Sequence, residues 1–167
     1  MIGYLTDMVI AQAYAKFNHK LICDKIAEIL YKINGAKVVE TIQSIHNYVS
    51  FDDKMIRKGA IKSYEGEKMV IPFNMRDGLA ICVGKSNSDW NCSAPHGAGR
   101  IMSRSKAKSN ISLEDFKESM KGIFTTSVCK NTIDESPMAY KDTNVIIEHI
   151  KDTCDISIRE GEKINLP

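Results

Sequence analysis

The sequence predicts an α+β fold: mixed or antiparallel sheets behind a long N-terminal helix, with further helices flanking the functional site. Three observations carry this. Residues 5–33 repeat apolar side chains at helical spacing, the pattern from residue 37 shortens to that of strands, and no alternation of strand and helix follows. A doubly wound parallel sheet is thereby excluded. The 167 residues suffice for one domain spanning 1–167 with its own core.

Each element has its local signal. Leu5, Met8, Val9, Phe17, Leu21, Ile22, Ile26, Ile29, Leu30 and Ile33 trace a helical stripe, and Asn34-Gly35 supplies the stop. Residues 37–42 read as a strand, continued irregularly over 45–51 through His46-Asn47. Residues 59–64 and 69–72 read as strands around the turn Glu65-Gly66-Glu67, and 79–83 as another after Arg76-Asp77-Gly78. Residues 84–95 crowd Gly, Ser, Asn, Asp and Pro and read as loop. A helix is expected to open near Gly97 and run toward Lys108. Ser112 caps the next helix, 113–122, with Asp115 at the capping-box position. A last helix over 143–151 and a last strand over 155–159 complete the chain.

Lys and Arg total 23 against 21 Asp and Glu, a net charge of +2 that excludes no partner class. The distribution says more. Arg100, Arg104, Lys106 and Lys108 face no acid between Trp90 and Leu113, so the centre of the chain is locally cationic. Five cysteines, an odd number without a CxxC pair, imply reduced thiols packed in a core. The opening MIGYLTDMVI lacks the features of a secretory signal, and no apolar run is long enough for a membrane span, so a cytoplasmic protein is expected.

Two histidines stand out. His96 lies between Pro95 and Gly97-Ala98-Gly99, where glycine lets backbone approach a bulky ligand. A helix starting there would aim free N–H groups at the imidazole and set Arg100 and Arg104 one turn apart on one face. A neutral imidazole beside bound phosphate is a competent nucleophile; the competing reading is a plain loop before a helix with a solvated basic face. His46, in a strand-like segment, is either a metal ligand or a structural histidine, and the chain shows no full metal set. Arg57-Lys58-Gly59 reads as a phosphate contact or as an exposed turn. No P-loop is present.

Several motifs in order carry a resemblance: HNYVSFDD at 46–53, RKGAI at 57–61, VIPFNMRDG at 70–78, GKSNSDWNCSAPHGAGRIMSR at 84–104 and DESPMAYKD at 134–142. With the helix containing YLTDMVIAQAYAKFNHK, the chain resembles the RtcB family of GTP-dependent RNA ligases over all but its last ten residues or so. The resemblance implies joining of RNA 2′,3′-cyclic phosphate or 3′-phosphate ends to 5′-hydroxyl ends, in tRNA splicing or RNA repair. By it, His96 attacks the α-phosphate of GTP and carries GMP. His46 matches a ligand of Mn²⁺ and, with Asn47, touches the nucleotide. Pro72, Phe73, Asn74 and Met75 match the loop lining the guanylate pocket, Gly97, Ala98 and Gly99 match the backbone cradle, and Arg100 sits against phosphate.

The family's catalytic chain is considerably longer, and its upstream part supplies the remaining manganese ligands. The resemblance therefore implies that these residues correspond to the C-terminal portion of such a chain, inactive alone. A second reading has the chain complement a separate N-terminal half, and an apolar surface left exposed where the missing portion packs would predict self-association. The ending REGEKINLP does not match the family's guanine-contacting segment, and Lys163 is not assigned that role. The alternative is a non-catalytic remnant that binds nucleotide or RNA.

Overall fold

A computed structural model describes residues 2–159 of the chain, so Lys163 lies outside the described residues. The architecture is α+β, every strand pairing is antiparallel, and the chain divides into two compact units.

The first unit comprises residues up to Ile42 and residues 47–58. Helix α1 (Ile2–Asn34) stops where the stripe ends: Gly35 takes a φ of +72° and its N–H donates to the Tyr31 carbonyl at 2.8 Å. Its ion pairs, Lys20–Asp24, Lys25–Glu28 and Lys32–Glu28, are exposed, so solvent screens them and they add little to the stability of the helix. Strands β1 (Tyr48–Ser50) and β2 (Met55–Arg57) form a small hairpin, tied to α1 by the Val49 N–H donating to Gln12 Oε1 at 2.8 Å. Arg57, read from the sequence as a phosphate contact or part of an exposed turn, is 2 % exposed. Its guanidinium pairs with Asp53 at 2.8 Å and lies 5.9 Å from the centroid of the Tyr48 ring, which makes it an internal strut.

The strand expected over 37–42 is absent. This segment belongs to no helix or strand, and Val39 is 98 % exposed. Alternating β-branched residues favour a strand only where a neighbour accepts the backbone hydrogen bonds, and no ladder is offered here.

The second unit comprises residues 43–46 and those from Gly59 onward. Strands β3 (Ala60–Lys62) and β6 (Ser93–Pro95) pair with each other. β4 (Lys68–Asn74), β5 (Gly78–Gly84) and β7 (Cys154–Arg159) form a sheet in the order β4-β5-β7, which leaves β4 at an edge. The segment read as loop, 84–95, thus ends in strand β6. Gly84 allows a close crossing, since a Cβ there would meet the Tyr64 carbonyl oxygen at 2.3 Å.

Strand periodicity sorts the side chains of this sheet. Met69, Ile71 and Phe73 of β4 and Ala80 and Cys82 of β5 point inward. Ile61, Ala94, Ala98, Cys154 and the Ile146 and Ile150 face of helix α4 (Thr143–Ile150) complete that core. A second cluster gathers Ala107 of α2 (Arg104–Asn110), Phe116 of α3 (Leu113–Ser119), Ile111, Met120, Ile133 and Ala139. Both Ser103 and Ser112 cap as N-cap residues do, their hydroxyls accepting from the Lys106 and Asp115 N–H groups.

Two expectations fail here. The helix expected from Gly97 starts at Arg104, because Gly99 takes a φ of +72° and Ser103 is the cap. Arg100 and Arg104 therefore do not share a helical face. Of the cysteines, only Cys82 and Cys154 are buried; Cys92 is half-buried, and Cys23 and Cys129 are exposed. Among the described residues no helix is long and apolar enough to cross a membrane.

Replacing Ile71, which is fully buried, by alanine should cost about 2–5 kcal/mol in urea unfolding. Val39→Ala, at an exposed position outside any strand, should change stability by less than about 0.5 kcal/mol.

Candidate functional site

The outer edge of β4 organises the site. Val70 donates its N–H to Ser44 Oγ at 2.7 Å, and the Pro72 carbonyl accepts the Ala98 N–H at 3.1 Å. These two groups lie two residues apart on an edge strand and hold the two segments that carry histidines. Proline is tolerated at position 72 for the same reason, because an edge strand need not donate from every residue.

His96 is held on both sides. Ala94 and Ala98, each 3 % exposed, anchor the backbone two residues before and after it in the core. Its backbone N–H reaches the Gly59 carbonyl at 3.3 Å, and its Nδ1 lies 2.7 Å from that same oxygen. A carbonyl only accepts, so Nδ1 carries the proton, and in the neutral ring Nε2 keeps its lone pair. Gly59 adopts a φ of +68° to present its carbonyl in this way. The His46 ring stacks on that of His96, with centroids 4.6 Å apart and planes inclined by 26°.

The glycines behind His96 have distinct tasks. A Cβ on Gly97 would stand 3.0 Å from the Pro72 carbonyl oxygen, so this turn passes close over β4. The Gly99 carbonyl accepts from the Lys141 N–H at 3.1 Å, and its positive φ turns the chain outward toward Arg100. Among the residues expected to line a pocket, Phe73 points into the core and Met75 packs against the second cluster. Asn74 closes the β4–β5 turn, its Oδ1 accepting from the Arg76 and Asp77 N–H groups at 3.0 Å each. Pro72 is exposed. Asn47, in the first unit, is exposed with a φ of +58°.

The Arg100 guanidinium is engaged within the protein. It donates to the Asp134 carbonyl, to Tyr140 Oη at 3.1 Å and to the Met102 carbonyl at 3.2 Å, and it lies 5.0 Å from the Tyr140 ring centroid. Tyr140 in turn donates to Glu135. Arg104 faces Asp134 at 3.9 Å and Glu135 at 3.6 Å, and Lys108 faces Asp134 at 3.3 Å. The cationic stretch of the sequence is thus partly neutralised by acids some thirty residues later.

Among the described residues, no three His, Cys, Asp or Glu side chains converge to hold a metal ion. His46 offers one imidazole, and His96 has one ring nitrogen committed to Gly59. These donors do not make a manganese site by themselves, since such a cation takes several oxygen and nitrogen ligands.

Sequence reasoning found both histidines and missed Gly59 as the acceptor that sets the His96 tautomer. A backbone carbonyl leaves no side-chain signature; the one hint was a glycine in RKGAI after a basic pair.

The whole is a histidine-centred site mounted on the edge of a small antiparallel sheet. A family model described as tRNA-splicing ligase RtcB matches residues 1–159. The RNA-splicing ligase RtcB of Escherichia coli (strain K12) is 31 % identical over 166 residues, covering 92 % of this chain and 40 % of the relative. The tRNA-splicing ligase RtcB of Aeropyrum pernix is 36 % identical over 181 residues, covering 87 % of this chain and 37 % of its own. This chain belongs to the RtcB family. It spans about 40 % of the length of the Escherichia coli relative.

Asp77 ties the turn beside the site to α4. The Arg76 guanidinium, at 2.7 Å, holds its carboxyl well below the usual carboxylate range, aided by the Asn74 amide and the Thr143 hydroxyl at 2.8 Å each, against the opposing effect of burial. A depressed carboxylate stabilises the fold fully above its unfolded pKa of about 3.9, and that stability is lost as pH falls through the folded value. Asp77→Asn should therefore cost about 1–2 kcal/mol in urea unfolding at pH 7, after allowing for solvent screening of the half-exposed Arg76. The gap to the parent should narrow as pH drops below about 4.

Proposed function

We propose that this chain contributes the guanylylated histidine of an RNA ligase. The reading is supported most directly by the Nδ1–Gly59 hydrogen bond of 2.7 Å, which leaves Nε2 of His96 as the nucleophilic nitrogen. The names of its relatives, RNA-splicing and tRNA-splicing ligases, supply the reaction class.

In this reading the Nε2 lone pair attacks the α-phosphorus of GTP, a P–N bond forms, the bond to the β-phosphate breaks and pyrophosphate leaves. The Gly59 carbonyl stabilises the positive charge that develops on the imidazole, through the proton retained on Nδ1. An oxygen of an RNA 3′-phosphate, present as such or formed when water adds to a 2′,3′-cyclic phosphate and the bond to the 2′-oxygen breaks to leave a 2′-hydroxyl, then displaces His96 and takes the guanylyl group. The 5′-hydroxyl oxygen attacks that phosphate, its proton is lost, and GMP departs. Gly97, Ala98 and Gly99 form the backbone behind the nucleophile, and His46 keeps the ring of His96 in register by stacking.

Manganese is the metal this family reading calls for. His46 would supply one of its ligands, the others would come from outside the described residues, and the ion would neutralise charge on the phosphates. Arg100 serves this site as a clamp on the 134–140 segment, given its partners.

A second reading is favoured by the incomplete metal-ligand set: a non-catalytic module that binds nucleotide or RNA. One assay separates the two. The chain is incubated with α-labelled GTP and Mn²⁺, alone and with the remaining portion of an RtcB polypeptide. The expected result is acid-labile, alkali-stable label on this chain only when that portion is added, and none on His96→Ala. Label persisting on His96→Ala would remove His96 as the nucleophile, and no label under either condition would favour the binding module. His46→Ala should lower the labelling rate by about 10²-fold, the size typical of a lost metal ligand or positioning group; an unchanged rate would remove both roles.

A further inference from the structure

Two of the five cysteines form a pair that the chemistry at His96 does not use. Cys82 lies in the middle of β5 and Cys154 opens β7; they are 0 % and 1 % exposed and belong to the same core. In the β5–β7 register Ile156 stands opposite Cys82 and Gly84 opposite Cys154. The cysteines are therefore one diagonal step apart on the same face of the sheet. Gly84 has no side chain to intervene, and the Cys82 thiol is hydrogen-bonded to Cys154. The surroundings of the two sulfurs differ. Thr153 Oγ1 donates to Cys154 Sγ at 3.8 Å, and Lys85, whose ammonium pairs with Asp155 at 2.7 Å, adds positive charge on the same side. The bond from Cys82, the Thr153 hydroxyl and Lys85 lower the Cys154 thiol against the opposing effect of burial, while that same bond and burial push Cys82 up.

We propose that Cys82 and Cys154 are a redox pair, which a hydroperoxide converts to a disulfide that staples the outer strand β7 to β5. The Cys154 thiolate sulfur attacks an oxygen of the peroxide; an S–O bond forms, the O–O bond breaks and hydroxide leaves, so Cys154 is oxidised to a sulfenic acid. The Cys82 sulfur then attacks that sulfur. An S–S bond forms, the S–O bond breaks, and the oxygen departs as water with the proton that Cys82 gives up. Two thiols and one hydrogen peroxide thus yield one disulfide and two waters, the hydroxide taking up the proton that Cys154 had released. β7 is an outer strand, in the order β4-β5-β7, so local opening of that strand is the route by which peroxide reaches a buried thiol. Because β5 also pairs with β4, the bond would fix the last strand to the sheet that carries the histidine site. The proposal does not depend on the reaction assigned to His96.

The test uses the 167-residue chain carrying Cys23→Ser, Cys92→Ser and Cys129→Ser, so that only the pair remains. It is treated with hydrogen peroxide in native buffer, then denatured, alkylated and digested without reductant. Alkylatable thiols should fall from two to none, with a peptide joining Cys82 to Cys154 and a mass lower by two hydrogen atoms. The urea midpoint should rise on oxidation and return with dithiothreitol, because the bond restrains the unfolded chain. With Cys82→Ser added, Cys154 should gain one oxygen and react with a sulfenic-acid probe; with Cys154→Ser instead, the Cys82 thiol should stay unmodified. Two thiols surviving peroxide, a bond that forms only in urea, a bond between two copies, or a midpoint that does not rise would each overturn the proposal.

Discussion

The edge of β4 is the constraint on which the rest of the second unit depends. Its inward residues, Met69, Ile71 and Phe73, are fixed by the core, so the intervening Val70 and Pro72 have a determined direction. The free backbone groups of an edge strand must find partners, and here they take Ser44 and Ala98. That requirement brings two histidines separated by fifty residues into ring contact. The site is thus a by-product of capping a sheet edge, which explains why it is precise without lying on a long element.

The two units are built in different ways. The second has two apolar clusters, with α4 packed on the sheet and α2 and α3 sharing the other cluster. The first rests on a 33-residue helix, a short hairpin and the Arg57–Asp53 pair. Arg57 also donates to Tyr48 Oη at 3.3 Å, so side-chain bonds join both strands and the turn of this small hairpin.

Much of the fold was legible where period and punctuation agree. Helix α1 with its glycine stop, strands β4 and β5 around Arg76-Asp77, the Ser112 cap and α4 all follow from local pattern. The strand expected over 37–42 failed because pairing is non-local and a run of Val-Val-Glu-Thr-Ile does not state whether a neighbour exists. The helix expected at Gly97 failed because a glycine can adopt either hand, and only the Lys141 contact shows which it takes. The histidines were legible through their glycine and asparagine neighbours. The Gly59 carbonyl and the engagement of Arg100 by residues 134–140 were not, since both depend on backbone groups distant in sequence.

The pairing of Arg104 and Lys108 with Asp134 and Glu135 changes how this surface answers to ionic strength. A bare basic patch gathers counterions, and a phosphate that displaces them gains their release, so affinity falls steeply with salt. Here the carboxylates already stand where counterions would gather. A phosphate arriving at these two cations exchanges with an acid of the protein and liberates fewer ions. Any polyanion bound through α2 would accordingly be less salt-sensitive than its basic residues suggest, since it would have to displace these carboxylates.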